Sequence, residues 1–337
     1  MAMRIWGVGA RRVPLVSGCV IGAFAVATAL AIAMAPPPPA AARVLHGDAA
    51  GAIRFWTPAR MKRARPLDPR PEGGAKVVLD GPLRAHLEES HVQPPLPAAG
   101  EALASSHSET VADPTASVSR QHGAVFIETP FGLGRCSGTS VNAPNLSVVF
   151  TAAHCIRTPG PGGHWMDFHW VFVPGYRYGQ RPFGVFPAKW IDTTRQWRTN
   201  GSGNFDVGAA VVDRNQKGEL LARAVGAAGI AWGLKAGQVF DVHGYPAAPP
   251  FDGETQQVCG QTPFLGHDSR SFLQPGPLNL AVDCDVTGGA SGGGWMIRGR
   301  ILNSVTSYGY EDAPNTNFGP YFGKEVGRLF HRAARVK

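Results

Sequence analysis

From residue 122 onward, apolar residues arrive in short bursts separated by glycine, proline and asparagine, and the bursts have the length and the β-branched or aromatic content of strands. Residues 124–128, 136–141 and 148–150 predict three such strands, and 165–173, 184–190 and 207–212 add more. Residues 230–234 and 239–245 open a second half, where 295–297 and 301–307 read as a hairpin turning at Arg298, Gly299 and Arg300. So many short strands suit an all-β barrel architecture better than a helical fold. The period changes only at the end: in 323–336, Val326, Leu329 and Phe330 recur at helical spacing with basic residues in the last turns, which predicts a C-terminal amphipathic helix.

Upstream of residue 122 the pattern is different. Arg4, Arg11 and Arg12 precede a continuous apolar segment, 13–35, which reads as an export signal with small-residue cleavage sites at Ala31, Ala33 and Ala35. Its 23 residues also suffice to span a bilayer, so a retained membrane anchor is the alternative. Residues 36–121 open on four consecutive prolines and show no sustained period of 3.6 or 2. They are expected to be a Pro-rich, poorly ordered pro-segment or linker with short ordered pieces around 53–56 and 77–79. As a pro-segment it would cover a cleft until export is complete, and as a spacer it would hold the following domain off a membrane. The expected division is thus 1–35, 36–121 and 122–337.

Composition narrows the function classes. The 337 residues are 44% hydrophobic, ample for a core, and carry a formal charge of +8. Residues 1–121 hold 13 Lys and Arg against 9 Asp and Glu, and 122–337 hold 19 against 15, so the excess is spread evenly. With no basic run interleaved with aromatics, nucleic-acid binding is not expected. Membrane contact is expected only through 13–35, and the protein is expected to be a monomer. No CxxC or HExxH spacing occurs, so neither a metal nor any other cofactor is expected. Cys19 lies in the apolar segment, while Cys136, Cys155, Cys259 and Cys284 fall in the strand-rich region and allow three connectivities, all implying an oxidising compartment.

The chemistry concentrates in three stretches. The run CDVTGGASGGGW, 284–295, sets the single hydroxyl of Ser291 among glycines at 288, 289, 292, 293 and 294, either a glycine-rich surface turn or, with Ser291 as a nucleophile, a tight loop whose Gly289 and Ser291 N–H groups would converge as an oxyanion hole. The run VVFTAAHC, 148–155, ends a buried strand and presents His154. The run NFDVGAAVVD, 204–213, places Asp206 just before an apolar strand. His154, Asp206 and Ser291 follow one another at intervals of 52 and 85 residues, a known chain order for a hydroxyl nucleophile with its base and orienting carboxylate.

TAAHC at 151–155, FDVGAAVV at 205–212 and TGGASGGGW at 287–295 resemble the three signature segments of the trypsin/chymotrypsin-like serine peptidases, over about residues 122–330 and most nearly in their bacterial secreted branch. The resemblance implies two antiparallel six-stranded β-barrels with the triad in the cleft between them and the C-terminal helix packed on the second barrel. It also implies a Cys136–Cys155 disulfide stapling the histidine loop, and Cys259 then pairs with Cys284 beside the serine loop. Ser307, Tyr308 and Gly309 resemble the segment that pairs with the substrate backbone as an added strand. The implied function is a secreted endopeptidase acting on protein or peptide substrates through an acyl-enzyme on Ser291.

Two departures bear on activation and specificity. Ala290 stands where the trypsin branch has the aspartate that captures a freed amino terminus, so that switch does not operate here. Asp285 lies six residues before Ser291, the offset of the acidic residue that attracts Arg or Lys side chains in trypsins, and it reads equally as a structural carboxylate. Thr306 stands where glutamyl endopeptidases carry a histidine, which disfavours glutamate preference. Asp192, Asp213 and Asp241 are rival carboxylates and His164, His169 and His243 rival bases, but none has the surrounding motif. The alternatives to an endopeptidase are a catalytically silent binding protein of the same fold at the cell surface and an esterase using the same triad.

Overall fold

The structure is a computed structural model and describes residues 42–45, 48–68, 77–78, 91–93 and 105–337, all within one compact unit spanning 38–337. The apolar segment 13–35 lies outside the described residues. Among the described residues no helix is long and apolar enough to cross a membrane.

Six antiparallel strands close into a barrel: Phe186–Thr193, Gly208–Val212, Val148–Thr151, Gly132–Val141, His122–Thr129 and Phe168–Pro174, in that spatial order. Closure comes from Phe168–Pro174, which pairs with His122–Thr129 on one edge and with Phe186–Thr193 on the other. The second half is a sheet ordered Tyr308–Tyr310, Ala313–Gly319, Leu280–Asp283, Gln257–Asp268, Val239–Gly244, Gly294–Ile297, Ile301–Val305 and Gly229–Trp232. Its two ends do not pair with each other among the described residues, so the expected pair of closed six-stranded barrels is corrected to one closed barrel and a second, open sheet. The segment 301–310 that would carry closure is interrupted at Thr306 and Ser307, whose N–H groups donate to the carbonyls of Gly293 and Phe318, each at 2.9 Å, so Ile301–Val305 pairs with Gly294–Ile297 and Tyr308–Tyr310 with Ala313–Gly319. The predicted hairpin forms between Gly294–Ile297 and Ile301–Val305, with Arg298 (φ 52°) and Gly299 (φ 62°) both left-handed in its turn.

Successive side chains of a strand point to opposite faces, and here both faces are buried, which is why the apolar runs are continuous rather than alternating. In Val148–Thr151, Val149 enters the barrel interior with Val125, Phe172, Phe186, Ala210 and Val212. Its neighbours Val148 and Phe150 point the other way, into a core shared with Val207, Val211, Ile230 and Leu302 of both halves. The C-terminal helix Lys324–Ala334 closes that shared core with Val326, Leu329, Phe330 and Ala333. It therefore sits in the seam between the halves rather than on the second half alone. Two polar contacts to the barrel explain this: Arg332 Nε bonds Asp192 Oδ2 at 2.7 Å, and Asn145 Nδ2 donates to the carbonyls of Ala333 and Val336, each at 2.9 Å. Leu329 is fully buried there. Leu329→Ala should lower unfolding free energy by about 2–5 kcal/mol, read as an earlier denaturant midpoint with an unchanged slope.

Both cysteine pairs are joined, Cys136–Cys155 with Cα atoms 6.2 Å apart and Cys259–Cys284 at 5.8 Å. Upstream of the barrel, the ordered piece expected around 53–56 falls within the described stretch 48–68, and that around 77–79 is a short strand, Val77–Val78, paired with Gln257–Asp268. Residues 48–68 contain the helices Ala49–Phe55 and Pro58–Arg63, the second started by Pro58 and capped by Thr57, whose side chain accepts from Arg60 N. Trp56 and Met61 are fully buried against the outer face of the barrel, with Phe126, Val171 and Val173. Trp56 Nε1 also donates to the His169 carbonyl at 2.5 Å. Two large side chains inserted between barrel residues supply the core that this stretch lacks on its own.

Candidate active site

The register of two barrel strands brings the first two chemical groups together. Gly208 pairs with Thr151, so the residues just before one strand lie beside those just after the other. Asp206 thus faces the one-turn helix Ala153–Cys155, where its Oδ1 accepts from the His154 backbone N at 2.9 Å and its Oδ2 from His154 Nδ1 at 2.7 Å. Both residues are buried. Ser307 Oγ donates to the same Oδ2 at 2.5 Å, so the carboxylate is fixed by three donors and fixes the imidazole in turn.

The third group comes from the other half of the molecule. Ser137 N donates to the Ser291 carbonyl at 2.7 Å, and Ser137 Oγ donates to the Gly289 carbonyl at 2.9 Å while accepting from Tyr245 N at 2.9 Å. The loop can lie this close only because residue 292 is glycine: its φ is +81°, and a Cβ there would come within 2.1 Å of Thr151 Oγ1 and 2.5 Å of the Ser137 carbonyl. The glycine frame around Ser291 therefore serves docking onto the histidine-bearing turn as much as loop shape. Sequence reading passed over Ser137, and its only signal was adjacency to Cys136.

Ser291 is buried, and its Oγ donates to Asp68 Oδ1 at 3.0 Å, with the Ser307 carbonyl at 3.5 Å. Gly289 N donates to that same Asp68 oxygen at 3.1 Å. His154 Nε2, buried, has no hydrogen-bond partner among the described residues. Burial by itself lowers the proton affinity of His154. The Asp206 carboxylate, by charge and by hydrogen bond, and the nearby Asp68 outweigh it and raise the pKa above the ordinary 6.5. Asp68, in the segment expected to be poorly ordered, was not among the candidates.

The specificity candidates separate. Tyr308 and Gly309 lie in the strand Tyr308–Tyr310 at one end of the second sheet, paired on one side with Ala313–Gly319, so the other edge is unpaired by strands among the described residues. The Tyr308 hydroxyl is held by Asp268 Oδ2 at 2.5 Å and by Asn279 Nδ2 at 2.9 Å. Asp285, by contrast, accepts the backbone N–H of Ser108 at 2.8 Å, next to the Cys259–Cys284 bridge, where the strand Ser105–Thr110 pairs with Gln257–Asp268.

The rival carboxylates are otherwise engaged, as are two of the rival histidines, with His169 Nδ1 2.6 Å from Glu128 Oε2. Asp192 binds Arg198 and Arg332, Asp213 lies 3.6 Å from Lys189, and Asp241 accepts from Gln261 N at 2.8 Å. His243 stacks on His122 with ring centroids 3.9 Å apart, and burial pushes its pKa down to about 3. Among the described residues, the two places where potential metal donors crowd together are built on the four disulfide cysteines, whose sulfurs are already bonded to each other.

No family profile matches the chain, and no sequence among curated proteins does. Solved structures do. The protease Anisep from Arthrobacter nicotinovorans is 31% identical, with a TM-score of 0.60 over 68% of this chain and all of that one. The thermostable serine protease AL20, from an extremophilic microorganism, is 33% identical with a TM-score of 0.60 over 66% of this chain and all of that one. A Glu endopeptidase at 16% identity and a TM-score of 0.52 shares the fold. About a third of this chain has no counterpart in the first two. With strands, disulfides and the convergence of His154, Asp206 and the serine loop already in place, these whole-length matches show that the chain belongs to the trypsin-like serine proteases.

Proposed function

We propose that the protein is an exported serine endopeptidase in which Ser291 is the nucleophile, His154 its general base and Asp206 the group that orients the base. The observation that carries this reading is the buried Asp206–His154 pair, 2.7 Å between Oδ2 and Nδ1, docked against a loop that offers one hydroxyl and a backbone donor to a common oxygen. Asp206 holds the Nδ1–H tautomer, leaving Nε2 as the acceptor for the Ser291 proton as the oxygen attacks a peptide carbonyl. The Gly289 N–H, joined by that of Ser291, stabilises the oxyanion, and His154 returns the proton to the leaving amine. Water then releases the acyl group by the same steps in reverse order. The unpaired edge at Tyr308–Tyr310 suits an extended peptide laid alongside it, and the second, open sheet takes the part that a second barrel takes in the family. The two disulfides fit an oxidising compartment outside the cytoplasm.

Digestion of a denatured protein, before and after limited proteolysis of the enzyme, with new termini read by mass spectrometry, tests this. Cleavage and fluorophosphonate labelling that both disappear in Ser291→Ala support it, and ester hydrolysis without any peptide cleavage overturns it. The raised His154 pKa sets the pH dependence: the base works only when neutral, so kcat/KM should fall on acidification through a single ionisation lying above 6.5. A rate that stays flat down into the carboxylate range excludes this base.

A further inference from the structure

Resting on that reading, we propose that the chain carries its own inhibitor: residues 65–68 form a strap that seats the Asp68 carboxylate between nucleophile and oxyanion donor and keeps the enzyme latent until the strap is displaced. One oxygen, Asp68 Oδ1, takes the proton of Ser291 Oγ at 3.0 Å and the N–H of Gly289 at 3.1 Å. Those two donors converge in the reaction on the carbon and oxygen of an attacked carbonyl, so no substrate acyl group can enter while the carboxylate is there. The serine proton is directed to Asp68, and His154 Nε2, the atom that must receive it, is left without a partner among the described residues.

The carboxylate is delivered by a built connection. Arg65 and Pro66 pair in parallel with Gly134 and Arg135, and Leu67 N donates to the Arg135 carbonyl at 3.2 Å. The Leu67 side chain lies over Gly134 and packs against the barrel core. Just upstream, Met61 and Trp56 plug the helices Ala49–Phe55 and Pro58–Arg63 into the barrel. The far end fits as closely: a Cβ at Gly288 would stand 1.7 Å from Asp68 Oδ2 and 3.2 Å from Pro66 Cβ, so the strap rests on bare backbone. Tethering makes the carboxylate an intramolecular ligand of high effective concentration.

A side-chain carboxylate suits this task because it survives it. Addition of the serine alkoxide to a carboxylate carbon would gather two negative charges on one centre with no leaving group better than oxide. A backbone carbonyl in the same place would be cut. Asp68 thus offers the oxyanion donors an anionic oxygen without offering the nucleophile an electrophile.

Full-length protein, with intact mass confirming that residues 42–68 are retained, is compared with Asp68→Ala and with Leu67→Ala, which loosens the strap without touching the reacting groups. The readout is the second-order rate of fluorophosphonate labelling, with thermal melts for folding and the Asp68→Ala, Ser291→Ala double variant as a blank. Both single variants should label at least about tenfold faster than the parent, the factor associated with loss of one charge-assisted hydrogen bond. If the parent labels as fast as two well-folded variants, the strap does not inhibit and the peptidase reading stands. If no chain labels although all melt cooperatively, the peptidase reading falls and the latency with it.

Discussion

Ser291→Ala is expected to reduce peptide hydrolysis by a factor of roughly 10⁶, to the background left by binding and the oxyanion donor alone, and to abolish fluorophosphonate capture. The loss should be purely chemical. Among the described residues the hydroxyl bonds only Asp68 and, at 3.5 Å, the Ser307 carbonyl, whereas the contact that docks the loop, Ser137 N to the Ser291 carbonyl, belongs to the backbone and survives substitution. Thermal unfolding should therefore match the parent within the usual scatter of surface variants. Single-turnover assays on the Asp68→Ala background separate the loss from latency. A folded alanine variant that still hydrolyses peptide at a substantial share of the parental rate removes Ser291 from the mechanism.

Asp206→Asn should cost about 10⁴ in kcat while leaving KM nearly unchanged. Three donors now converge on this carboxylate: His154 N on Oδ1, and His154 Nδ1 and Ser307 Oγ on Oδ2. An amide has one oxygen and one NH₂, so whichever way it turns, one of these donors faces another donor. If the NH₂ faces the ring, the imidazole must carry its proton on Nε2 and is no longer a base toward Ser291. If it faces His154 N, the turn that presents the ring loses its anchor. Stopped-flow turnover, with imidazole tautomers followed by ¹⁵N NMR, distinguishes the two. Retention of full kcat would mean that another group orients His154.

The neighbourhoods of the candidate residues were readable because they are local. VVFTAAHC ends a strand buried on both faces, and the same eight residues both bury Val149 and set His154 on the turn that follows. The glycines around Ser291 signalled a close approach, although one of the surfaces approached, Thr151 and Ser137 against Gly292, lies in the other half of the molecule. Asp285 shows the opposite case: its offset from Ser291 matches a specificity residue, while its partner is the backbone of Ser108, 177 residues upstream. For residues 48–68, proline content and absent periodicity report only on whether a segment can make its own core, and this one uses the barrel's.

By itself, then, the chain's order of residues determined the strands, the C-terminal helical period and the three stretches that bear chemistry, since each depends on near neighbours and on solvent alone. Only the tertiary structure decided which sheet closed, how the last helix settled in the seam, and that Asp68, 223 residues from Ser291 in the chain, lies on its hydroxyl. Those outcomes depend on which edges and pockets distant segments find free once the barrel has formed, and no local pattern records that.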